Sequence, residues 1–80
     1  MDTKYIIFKS NLGLVPIVFT PLISHKDLAR SLKTLGLEPS SAGFCYVDNN
    51  SSYICHGQSD SLNLTSNEDK DSDILNMHLL

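Results

Sequence analysis

ISHKDLARSLKTLGLEP, residues 23–39, holds a helix start, a buried stripe and a helix stop in one run. Ser24 suits the N-cap, because its hydroxyl can accept a bond from an unpaired first-turn amide. Asp27 stands at N3, where a capping-box carboxylate reaches back, although Asp is shorter than the preferred Glu and leaves the box half made. Ile23 and Leu28 occupy the two positions of a hydrophobic staple. Leu28, Leu32 and Leu35 recur at i, i+4 and i+7 with Ala29 beside them, one apolar stripe at helical spacing. Gly36 is placed for a left-handed ending, Leu37 can fold back on Leu32, and Pro39 prevents the helix from resuming. The spacing predicts a helix from Ser24 to Leu35.

Outward from this helix, the flanking segments read as strands. Lys4–Lys9 is rich in β-formers, and Leu14–Phe19 is a second run interrupted by Pro16. Asn11, Leu12 and Gly13 supply the turn between them. Proline lacks the amide a ladder needs, so this second strand belongs at an edge or a bulge. Pro39, Ser40 and Ser41 read as a connector after the helix. Ala42–Asp48 and Ser52–His56 read as a hairpin around Asn49, Asn50 and Ser51. A three-residue loop sets Cys45 opposite Cys55, Tyr46 opposite Ile54 and Phe44 opposite His56; a loop one residue shorter or longer removes the cysteine pairing. Ser59–Thr65 alternates as a short fifth strand or an extended loop. Ser66 with Asp69 forms a possible capping box for a C-terminal helix, whose apolar surface comes from Ile74, Leu75, Met77, Leu79 and Leu80.

The expected order is β-β-α-β-β-(β)-α, a single α+β domain over residues 1–80. A small antiparallel sheet of four or five strands is packed on one face by the Ser24–Leu35 helix. The C-terminal helix is expected on the same face or swapped onto a partner chain. A homodimer through Ile74, Leu75 and Leu79 follows from the second arrangement, since so small a domain gains stability by burying surface against a twin.

The net charge is −3 over 80 residues, and it is unevenly placed. Five basic and three acidic residues precede Asp48; from Asp48 onward six acidic residues face Lys70 alone. No run approaches the roughly 18 apolar residues of a membrane span. Tyr5–Phe8 is too short for a signal-peptide core. The expectation is a cytoplasmic protein without a membrane partner.

Three groups of residues are candidates for function. Lys26, Arg30 and Lys33 fall at i, i+4 and i+7 and form a basic stripe. A solvated helix face is the bland reading of that stripe; a contact strip for an acidic partner is the sharper one. Three cations on a net acidic chain are a thin footprint for nucleic acid, which is the less favoured partner. Glu68, Asp69, Asp71 and Asp73 form an acidic segment that can meet a basic protein, and their place near a helix start also suits the helix dipole. Cys45, Cys55 and His56 could make a thiol-dependent or redox site. Adjacent strand residues point to opposite faces, however, so His56 is poorly placed to serve Cys55. The cysteines are also nine residues apart in sequence, without the short ligand spacing of structural zinc, so no metal and no cofactor is expected. His25 reads as a helix-boundary residue and His78 as a cation at a helix C-terminus.

Three segments, VPIVF (15–19), SAGF (41–44) and CHGQSDSLNL (55–64), together with the DIL of residues 73–75, resemble small uncharacterised proteins encoded by phages and prophages of Gram-negative bacteria. The resemblance covers most of the chain and implies an accessory protein that acts by contact, with a host protein as the partner. It brings no catalytic residue with it. The sequence therefore points to a non-enzymatic protein-binding module, with the thiol site and the nucleic-acid stripe as alternatives.

Overall fold

Four consecutive apolar residues, Tyr5, Ile6, Ile7 and Phe8, are all buried, although neighbours on a strand point to opposite faces. The strand that carries them must be covered on both sides. The computed structural model describes residues 2–79 and shows how this is done. The main sheet is antiparallel, in the order β2-β1-β3-β4, with β1 (Thr3–Ser10), β2 (Gly13–Phe19), β3 (Glu38–Val47) and β4 (Tyr53–His56). Helix α1 (His25–Lys33) lies on one face against Ile6, Phe8 and Ala42, with Leu28, Leu32, Leu37 and buried Ala29 in the contact. Helix α2 (Glu68–Leu79) lies on the other face, where Leu75 joins Tyr5, Ile7, Cys45 and Cys55.

Placing α2 opposite α1 corrects the sequence expectation of a shared face. The reason lies in β1, whose unbroken apolar run needs two covers. Leu75 is fully buried within its own chain, so it is not available to a twin. Met77 and Leu79 remain exposed, and Leu80 lies outside the described residues.

The first helix begins as its residues dictate. The Ser24 hydroxyl accepts from the Asp27 amide at 3.0 Å. Its end differs by two residues from the expected one. α1 stops at Lys33, and the amides of Gly36 and Leu37 bond to the carbonyls of Lys33 and Leu32. Gly36 takes the left-handed conformation this ending needs, with φ of 80°. The reversal turns Leu35 out to solvent, at 72% exposure, and brings Leu37 in to take its place on the core.

Pro16 lies on β2, the outer strand, opposite Ile7. The segment expected as a connector, Pro39 to Ser41, is instead the start of β3. The β1–β3 register slips there, with Ile7 opposite Ser41 and Phe8 opposite Pro39, so Ser40 is the extra residue of a bulge. A bulge accommodates Pro39 because it interrupts the ladder where proline has no amide to give. The β3–β4 loop has the expected three residues, and the expected pairs follow: Phe44 with His56, Cys45 with Cys55, Tyr46 with Ile54.

Between the sheet and α2 the chain makes two short strands, β5 (Gln58–Ser59) and β6 (Leu64–Thr65), which pair only with each other. Ser59 is buried and its hydroxyl accepts from the Leu62 amide, which fixes the turn between them. This ribbon braces α1: the Ser61 hydroxyl accepts from the first-turn amide of Lys26, and Leu62 packs on the α1 core.

Candidate functional site

The structure separates the three groups of candidate residues. Lys26, Arg30 and Lys33 stay together on the exposed side of α1. Over seven residues of helix they span roughly 10 Å. With Ala29, Glu38, Pro39 and Leu62 they line a shallow depression of about 300 Å³. Its floor is apolar and its rim carries three cations against one carboxylate. None of the three cations makes an ion pair or a side-chain hydrogen bond among the described residues. The depression exists because the β5–β6 ribbon brings Leu62 over the helix. The sequence gives no periodic signal for that contact.

The acidic segment does not survive as one surface. Glu68, Asp69 and Asp73 are exposed on α2, but Asp71 is 2% exposed and engaged inside the protein. Its Oδ2 accepts from the Tyr5 hydroxyl at 2.6 Å and from the Asn67 amide at 3.0 Å. Asp71 is therefore withdrawn from the candidate contact residues. It reaches back to the N-terminus of α2, a role sequence reading gave to Asp69, and it pins the helix to the centre of β1. Burial, and then the Asp71 carboxylate, push the Tyr5 phenol well above its ordinary value, so it remains a donor to Asp71 at neutral pH.

Cys45 and Cys55 are brought together on the α2 face and both are free thiols with essentially no exposure. Burial raises the Cys45 thiol, partly offset by Thr3, whose hydroxyl is 3.3 Å from its sulfur. Burial pushes the Cys55 thiol up to about 11, with Ser72 partly opposing it. Such thiols are poor nucleophiles at neutral pH. His56 lies on the α1 face instead, bonded to Asp2 at 2.6 Å. His56 is therefore not placed as a base for either sulfur, and the described residues contain no group of three or more His, Cys, Asp or Glu arranged to hold a metal ion.

His25 is the first residue of α1, the helix boundary expected of it. It is also buried, edge-on to Phe19 and Phe44 at centroid distances of 5.5 and 5.7 Å. Its Nε2 is 2.8 Å from the Gly43 carbonyl, the separation of a donated hydrogen bond. Burial lowers its basicity, the Gly43 bond opposes that, and Lys4 adds to it. Gly43 is needed at this point, since a Cβ there would stand 2.5 Å from the His56 carbonyl oxygen. The only sequence hint was the apolar company of His25, between the Phe19 strand and the Leu28 stripe.

A depression of about 590 Å³ is lined by Asp2, Thr3, Val18, Tyr46, Val47 and Tyr53. It offers one carboxylate, already held by His56, and no reactive pair. No helix among the described residues is long and apolar enough to cross a membrane. Comparison of the chain with protein families, with curated proteins and with solved structures finds no match.

Proposed function

We propose that this chain is a small protein-binding module that docks an acidic segment of a partner protein on the basic side of α1. The observation that carries the reading is the depression beneath Lys26, Arg30 and Lys33: an apolar floor at Ala29, Pro39 and Leu62 with unpaired cations around it. Such a surface combines a desolvating contact with a charged rim, the usual division of labour in a protein interface. The cations steer the encounter, and the floor holds one apolar side chain of the partner. The resemblance to phage and prophage proteins would make that partner a host protein. The buried, high-pKa cysteines favour contact over thiol catalysis, and the thin basic footprint favours an acidic peptide over a nucleic acid.

The test is an affinity capture from the source cell at physiological salt, run in parallel with a Lys26→Glu, Arg30→Glu variant. A stoichiometric partner that is lost on charge reversal, and weakened by added salt, supports the reading. A partner retained equally by the variant places the contact elsewhere and contradicts it.

A further inference from the structure

We propose that Cys45 and Cys55 are a redox-sensitive pair that closes to an intrachain disulfide when the protein meets a small disulfide such as oxidised glutathione. The pairing follows from strand geometry and is independent of any partner on α1. Asp48 donates to the Ser52 carbonyl at 2.9 Å, which makes Asp48 and Ser52 a hydrogen-bonded pair of the β3–β4 ladder. Antiparallel pairs alternate, so Cys45 and Cys55, three steps along, form a non-hydrogen-bonded pair. The outward amide of Cys55, taken by Ser72 at 2.9 Å rather than by β3, agrees with that phase.

At such a position the Cα atoms lie about 4.5 Å apart and the side chains share one face. That separation falls within the range of about 4.4–6.8 Å seen in disulfides. These are also the only two cysteines in the chain, so each has a single intrachain partner.

The exchange balances. Cys55 sits on β4, a four-residue strand at the sheet edge, and is the first thiol reached when that edge opens. Its thiolate attacks one sulfur of the small disulfide and releases one small thiolate. Cys45, as thiolate, then attacks the Cys55 sulfur and releases the second. Two protein thiols are oxidised, one small disulfide is reduced to two thiols, and the two thiol protons go to the departing thiolates. The product ties β4 to β3 and resists opening of the edge that α2 covers. Burial makes the reaction slow, limited by opening rather than by the exchange.

The folded protein is treated with oxidised glutathione, quenched with acid, then denatured and exposed to a maleimide. The expected product has lost two hydrogens, takes no maleimide, melts roughly 10 °C higher and reverts with dithiothreitol. Cys45→Ser and Cys55→Ser should each abolish the mass loss. Two thiols still open to maleimide, a stable adduct with one glutathione, or disulfide-linked dimers would each overturn the proposal. The wild-type mass reading stands even if a serine variant fails to fold.

Discussion

The two helices are fastened to the same sheet by different physics. α1 lays Leu28, Ala29 and Leu32 on Ile6, Phe8 and Ala42, and adds one buried side-chain bond to the sheet, from His25 to the Gly43 carbonyl. α2 buries one leucine fully, packs Ile74 beside it, and adds a row of hydrogen bonds to the sheet. Asp71 holds the Tyr5 hydroxyl, Ser72 accepts from the Cys55 amide, and Asn76 pairs with Tyr53 twice, accepting from its amide at 2.7 Å and donating to its carbonyl at 3.3 Å. Side chains within two turns of α2, at Asp71, Ser72 and Asn76, thus reach the centre and the outer edge of the sheet. The outward amides of β4, which would otherwise invite another strand, are satisfied by the helix. The opposite edge is blunted differently, by Pro16 on β2. An apolar contact tolerates small shifts; a polar one requires each donor to find its acceptor.

The difference can be broken first at Leu75. Leu75→Ala removes the one fully buried aliphatic contact of α2 and should cost about 3 kcal/mol, read as a fall in the urea midpoint with unchanged slope. A loss below about 1 kcal/mol would mean that the polar contacts hold α2 without it. Tyr5→Phe comes next. It leaves the Asp71 carboxylate buried with one donor fewer, at a cost of about 2 kcal/mol. Asp71→Asn, which can still accept from Tyr5, should cost less than Tyr5→Phe; the reverse order would show that the carboxylate charge, not the acceptor, matters.

The smallest effect concerns pH. Burial holds the folded His25 below its unfolded value of about 6.5. The native state therefore resists the proton, so this contribution to stability is fully present above about pH 6.5 and declines as the pH falls below it. Unfolding midpoints measured from pH 7.5 down to 5 should drop more steeply in the wild type than in His25→Gln. Parallel curves would remove His25 from the account. Tyr5 acts in the other direction. Its raised phenol makes stability fall as the pH climbs past about 10, and Tyr5→Phe should flatten that limb.

This contrast also explains what could be read from the sequence. The caps of α1 follow from Ser24 and Gly36 and its stripe from helical period; the caps reappear in the structure, and so do Leu28, Ala29 and Leu32 of the stripe, while Leu35 gives its place to Leu37. The facing of Cys45 and Cys55 followed from counting three loop residues. α2 left no comparable trace, because hydrogen-bonding side chains such as Asp71, Ser72 and Asn76 look like solvent-facing residues in a helical pattern. Asp71 read as one of four surface acids for that reason. The placement of α2 was nevertheless encoded, in the failure of Tyr5–Phe8 to alternate. The basic stripe was legible as charges, but the apolar floor beneath it was not, since Leu62 arrives from a distant ribbon with no periodic mark.

The central claim, that α2 closes the β4 edge through its side chains, is tested most directly by amide hydrogen exchange at Tyr53 and Cys55. Both amides point away from β3, and their acceptors are Asn76 and Ser72. The account predicts slow exchange at both, despite their place on an outer strand. In Asn76→Ala, Tyr53 should lose its protection while Cys55 keeps it. Rapid exchange at both amides in the wild type would contradict the claim and leave α2 held by Ile74, Leu75 and Asp71.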